Sequence, residues 1–227
     1  MAKTKRRDSR PDWSKEPFYR FLGYLENEER LVHLAANGIR LVVHQETVAE
    51  ALHGVADLMD WEEGESEKRL QAAKTEAAFA KEEVDTDFRL LHAHSVMAVW
   101  GCLENLVSDV VRTWLVRRPA LLRADNLSGV KVSVAEFHVM SRAERVDYLL
   151  DRVPASQGVA GGFPRMEEQL KLVSLDGAVD DSLRRQLIEA YQVRNLYAHC
   201  GGFIDAKAMR TCPWRSPVCQ ADVRHLP

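Results

Sequence analysis

Between Phe88 and Arg118 apolar side chains return every three or four residues: Phe88, Leu91, Val96, Val99, Trp100, Leu103, Leu106, Val107, Val110, Val111, Trp114 and Leu115. A helix turns once in 3.6 residues, so this spacing gathers them on one broad apolar face. A face of that width is buried, which predicts the central core helix of the fold. Pro119 marks its end, because proline lacks the N–H that would continue the ladder. No segment alternates apolar and polar side chains long enough for a strand, and no repeat of fixed period appears. The fold class is therefore all-α.

The flanking segments read the same way. From Ser14 to about Trp61 helical spacing recurs through Leu31, Leu34, Ala35, Leu41, Val42, Val48, Ala51, Leu52, Val55 and Leu58, as two helices with a break near Asn37-Gly38. Trp61 to Asp87 is rich in Glu, Lys and Ala, strong helix formers, and predicts one long solvent-washed helix. Beyond the core helix, Val134 to Val153 predicts an amphipathic helix starting after Ser133 and ended by Pro154. Ala155 to Pro164 holds Gly158, Gly161 and Gly162 and predicts a flexible loop. A short helix over Phe163–Val173 follows. A clearer one runs from Asp180 to His199, with Asp180 or Asp181 as N-cap and Gly201-Gly202 as its stop. This gives a basic flexible tail (1–13), an N-terminal helical extension (14–86), a helical domain (87–210) and an irregular C-terminal tail (211–227).

At 227 residues and 46% hydrophobic composition the chain can bury a substantial core. A net charge of −3 argues against coating nucleic acid by bulk electrostatics, so any RNA contact is local. Lys3, Lys5, Arg6, Arg7 and Arg10 make the start either a solvated tail or a phosphate-binding arm. No apolar run reaches eighteen residues, which predicts a cytoplasmic protein with no membrane partner. Cys102, Cys200, Cys212 and Cys219 read as reduced thiols. Cys200, Cys212 and Cys219, with His199 and His225, lack the close paired spacing of a zinc site, so neither metal nor other cofactor is expected.

The chemistry concentrates in Arg194-Asn195-Leu196-Tyr197-Ala198-His199. Asn195 and His199, four apart, share a helix face, whereas Arg194 and His199, five apart, diverge by about 140°. Either unwinding near the glycines or the reach of a long Arg194 side chain would bring them together. By spacing alone the segment also fits an Arg194 pairing with a surface carboxylate and a His199 at the negative end of the helix dipole. Glu104 lies among apolar neighbours in the core helix and needs a partner, either a structural arginine or a catalytic group.

Arg194, Asn195 and His199 resemble the signature of HEPN domains: an Arg, a polar residue, three to five further residues and a His, in the last helix of an all-helical domain. Cys200-Gly201-Gly202-Phe203-Ile204-Asp205 is similar to the continuation in some members, and the resemblance spans roughly Asp87 to Met209. Gly201 stands where one branch carries a modified Tyr. The resemblance implies a HEPN-like helical bundle with additional N-terminal helices. It implies a metal-independent endoribonuclease that cleaves RNA by attack of the 2′-hydroxyl, of the toxin or antiphage-defence kind. His199 would move the proton, Arg194 would stabilise phosphate charge, and Asn195 would orient either, with Glu104 and Tyr197 as supporting residues. The implied partners are RNA, a second copy completing a composite site, and an antitoxin or sensor. The alternatives are a non-catalytic HEPN module binding a nucleotide or partner protein, and a helical scaffold outside the family.

Overall fold

The structure, a computed structural model, describes residues 12–55, 64–118, 130–156 and 161–202. Among them every regular element is a helix: α1 (Asp12–Val42), α2 (Gln45–His53), α3 (Glu65–Asp85), α4 (Arg89–Arg117), α5 (Val134–Val139), α6 (Arg142–Ser156), α7 (Phe163–Lys171) and α8 (Asp181–Cys200). The all-α expectation holds for these residues. Both expected tails (the C-terminal one whole, the first up to residue 11) and Pro119 lie outside them. The chain divides into two compact units, Leu25–Val96 and, discontinuously, Met1–Tyr24 with Met97–Pro227.

Within Leu25–Val96 the first helix break falls at Val43-His44, not at the expected Asn37-Gly38. Gly38 sits inside α1 because a glycine without positive φ costs a helix only about 1 kcal/mol and does not end it. The ladder narrows later, where Val43 N–H bonds Ile39 O and His44 N–H bonds Leu41 O. α2 packs on α3, with His53 Nδ1 3.0 Å from Ser66 Oγ and Lys74 Nζ 3.9 Å from Glu50 Oε1. The expectation of a solvent-washed α3 holds only for its charged faces. Leu70, Ala73, Ala77, Ala80 and Glu83 are buried, and the small alanines make that close packing possible.

The α3–α4 turn places Asp87 and Phe88 at φ 53° and 57°, a left-handed conformation that costs side-chain-bearing residues on the order of 1 kcal/mol each. Two features offset it. Phe88 is buried with the Arg40 guanidinium 4.8 Å over its ring. The buried Glu83 carboxylate accepts the N–H groups of Leu90 and Leu91, both at 3.4 Å, at the open start of α4.

In the other unit α4 is the organising helix. Val111 and Leu115 pack with Val146, Leu150, Leu172 and Val173, while Trp100 packs with Phe163 and Met166, flanked by Leu187, Ile188 and Tyr191 of α8. The expected single helix over Val134–Val153 is two. Met140 is extended (φ −74°, ψ 143°), and Ser141 starts α6 with a capping box: Ser141 Oγ accepts Glu144 N–H at 3.3 Å, and Glu144 Oε2 accepts Ser141 N–H at 2.6 Å. Ser133 caps α5 through Glu136 N–H. Pro154 does not end α6, which runs to Ser156; the bulk of the helix has already been laid down before its missing N–H is met. Of the expected loop 155–164, the described residues place 155–156 in α6 and 163–164 in α7.

Candidate functional site

α8 carries the Arg194–His199 segment, and both its ends follow from sequence. Asp180 Oδ1 accepts the N–H groups of Ser182 and Leu183 at 2.9 and 3.2 Å, so Asp180 is the cap. At the far end Gly201 turns left-handed (φ 59°, ψ 25°), and the N–H groups of Gly201 and Gly202 both reach back to Leu196 O, the latter at 3.2 Å. The two glycine N–H groups thus satisfy an open carbonyl of the last turn and close the helix. A Cβ on Gly202, at φ 85°, would stand 2.7 Å from the Tyr197 ring, so Tyr197 lies against the cap.

The helix stays regular through Cys200, so the expected unwinding between Arg194 and His199 does not occur. The long side chain reaches across to its neighbour instead. Arg194 Nη1 donates to Asn195 Oδ1 at 3.0 Å in a half-buried setting, which draws the guanidinium toward the face Asn195 shares with His199. His199 is exposed in the last turn and makes no hydrogen bond or ion pair among the described residues. A carboxylate partner for Arg194 is likewise absent among them.

Glu104 has a partner, but not the arginine its environment suggested. Glu104 Oε1 accepts from Trp100 Nε1 at 2.9 Å, one turn earlier on α4. The buried Trp100 ring lies 5.3 Å from that of Tyr191, three residues before Arg194. Tyr191 in turn leaves room only for glycine at 162: a Cβ there would meet the ring at 2.5 Å. Glu104 therefore acts on α8 through Trp100 and Tyr191, by packing. An i,i+4 Trp–Glu pair on a helix is a signal the sequence contained.

A feature with no local sequence signal lies on another face of α4. The first turns of α1 and the middle of α4 enclose an open groove of about 590 Å³, lined by Phe21, Tyr24, Met97, Cys102, Asn105 and Leu106 among others. At one end Arg20 Nη1 bonds Asp109 Oδ2 at 2.9 Å, a pair 89 residues apart in sequence. Burial pushes the Cys102 thiol above its ordinary value of 9.0, so it stays protonated at neutral pH and is a poor nucleophile. No group of three or more His, Cys, Asp or Glu among the described residues is placed to hold a metal ion. Cys212, Cys219 and His225 lie outside them. No described helix is long and apolar enough to cross a membrane.

Neither a family model nor a curated protein nor a solved structure matches this chain. The functional reading rests on the residues of α8 themselves.

Proposed function

We propose that the chain is a metal-independent endoribonuclease of the HEPN type whose site is built on the C-terminal half of α8. The observation that carries this reading is the Arg194–Asn195 hydrogen bond, which turns a cation toward the face where His199 stands exposed. A phosphate approaching that face meets a planar guanidinium able to bind two of its oxygens. Imidazole is the side chain best suited to proton transfer near neutrality.

In the proposed reaction the RNA 2′-oxygen attacks the adjacent phosphorus. One His199 takes the 2′-hydroxyl proton, the 2′-O–P bond forms, and the P–O5′ bond breaks as the leaving oxygen is protonated. The products are a 2′,3′-cyclic phosphate and a 5′-hydroxyl. Arg194 offsets the charge that builds on the phosphoryl oxygens. One imidazole cannot be base and acid within a single displacement, so the second is supplied by another α8 in a two-fold composite site. Unregulated cutting of RNA is toxic to a cell, which suits an effector of microbial conflict held in check by an antitoxin or sensor.

The test is incubation of the purified chain with single-stranded RNA and a chelator, beside His199→Ala and Arg194→Ala. Cyclic phosphate ends in the wild type and their loss in both variants are expected. Cleavage surviving both substitutions sinks the mechanism. Absent cleavage with specific nucleotide or protein binding points to the non-catalytic module instead.

A further inference from the structure

In Leu25–Val96, α1 and α2 leave one apolar face uncovered. Leu31, Leu34 and Leu41 are 59%, 70% and 74% exposed, and Val48, Leu52 and Val55 are exposed with them. Their spacing is regular. Residues 31, 34, 38, 41, 45, 48, 52 and 55 alternate steps of three and four, the a and d positions of a heptad repeat, occupied by Leu, Leu, Gly, Leu, Gln, Val, Leu and Val. The buried Ala36 belongs to a different face of α1, so this seam is additional to the one that forms the unit's own core. The seam passes the α1–α2 junction, where Val43, His44 and Val48 N–H groups bond Ile39, Leu41 and His44 carbonyls.

We propose that this seam is the surface by which two copies of the chain associate, helix against antiparallel helix. A three-four repeat is the pattern that another helix fits, since each side chain enters a hole between four residues opposite. The choice of a second copy as occupant comes from area and from shape. The exposed fractions leave on the order of 600 Å² of apolar surface per copy, so pairing removes roughly 1,200 Å², the lower bound of stable dimer interfaces. The shape is self-complementary: a Cβ on Gly38 would meet nothing within 4 Å, leaving a notch in mid-seam one turn from the protruding Leu41.

The notch also sets the direction. Parallel helices would set Gly38 against Gly38 and leave a void, whereas antiparallel helices place a positions opposite d positions. Gly38 then receives Leu41 of the second copy, and the two-fold axis repeats the contact. In the same register Leu31 meets Val48, and Leu34 meets Gln45. Of the residues at the flanking e and g positions from 35 to 51, Ala35, Asn37, Val42, Ala49 and Ala51 carry no charge, and the one ionisable group, His44, stands beside Ala35 of the second copy in this register, so close approach meets no like-charge repulsion there. Such a contact is isologous and closes at two subunits. It stands independently of the ribonuclease reading.

Sedimentation equilibrium of the full chain tests this, beside the variant carrying Leu34→Glu and Leu41→Glu. Both positions are exposed, so the helical circular dichroism should be retained while the mass falls by half, to a monomer or, where α8 also pairs two chains, to a dimer. Gly38→Leu fills the notch and should weaken association by about tenfold or more, whereas a parallel seam would be tightened by it. A monomeric wild type overturns the proposal, as does an assembly whose mass is unchanged by both glutamates or whose association is strengthened by Gly38→Leu. A dimer lost on substitution along α8 alone would overturn it while leaving the composite ribonuclease site intact.

Discussion

Trp100 Nε1 donates to Glu104 Oε1 at 2.9 Å across one turn of α4, and the indole that makes this bond is almost wholly buried. The pair couples α4 to the helix bearing the candidate site. Replacing Glu104 by Ala strands the indole N–H, and the expected loss is about 1–2 kcal/mol of stability. Glu104→Gln keeps an acceptor and should cost less than half of that. Urea unfolding followed by tryptophan fluorescence measures both. RNA cleavage by the folded Glu104→Gln protein should be unchanged; its loss would give the carboxylate a direct part in the chemistry.

Gly162 sits at φ 86° with Tyr191 where its Cβ would be, so Gly162→Ala combines backbone strain with a clash. A loss on the order of 2 kcal/mol or more is expected. Gly23, inside α1 with nothing within 4 Å of a Cβ, should respond oppositely, and Gly23→Ala should add about 0.5–1 kcal/mol. Thermal midpoints of the two variants should therefore fall on either side of the wild type.

The Ser141–Glu144 capping box makes a pH-dependent contribution. The hydrogen bonds from Ser141 hold the Glu144 carboxyl below its ordinary value of 4.5. A carboxylate lowered in the folded state stabilises the fold above its unfolded value, and that contribution is lost as pH falls through the folded value. The difference in thermal midpoint between wild type and Ser141→Ala should be full above pH 4.5 and shrink progressively below it. An NMR titration should also show Glu144 moving up toward 4.5 in Ser141→Ala. A difference independent of pH would separate the cap from the carboxylate charge.

Local chemistry was the part of the fold most legible in the sequence. Asp180 capping α8, Gly201-Gly202 closing it, and the apolar face that buries α4 all follow from residue type and spacing. Boundaries depending on competition between signals were not. Gly38 reads as a breaker, but it breaks a helix only where positive φ is required, and α1 does not require it there. The Ser133 cap and the Ser141–Glu144 capping box split the helix after Ser133, a stronger local signal than the apolar periodicity running across it. Contacts between distant residues, such as Arg20 with Asp109, have no trace in either period or motif. At the candidate site, the sequence offered unwinding or reach as ways for Arg194 and His199 to converge; the helix is regular there, and Arg194 reaches as far as Asn195.

Asn195 should therefore matter to activity through Arg194. Asn195→Ala frees the guanidinium from its hold beside the face of Asn195 and His199, while the half-buried position costs stability little, about 0.5–1.5 kcal/mol for one hydrogen bond. Cleavage should fall by about 10- to 100-fold, the range set by losing the placement of one charged group. Asn195→Asp, which keeps an acceptor for the guanidinium, should recover part of that rate. Equal losses in both variants would show that the amide N–H₂, and not the grip on Arg194, is what the reaction uses.

A composite site makes one further demand. Dimers formed between wild type and His199→Ala hold one His199 instead of two, so they should be inactive on RNA. When wild type is mixed with an excess of His199→Ala and allowed to exchange subunits, cyclic-phosphate formation per wild-type chain should fall in proportion to the wild-type fraction, and the fall should deepen with the time allowed for exchange. A site complete within one α8 loses nothing on mixing, because every wild-type chain keeps both groups. Activity per wild-type chain that stays constant in the mixture, with exchange verified by differently labelled subunits, removes the two-fold site and leaves His199 to be explained within a single chain.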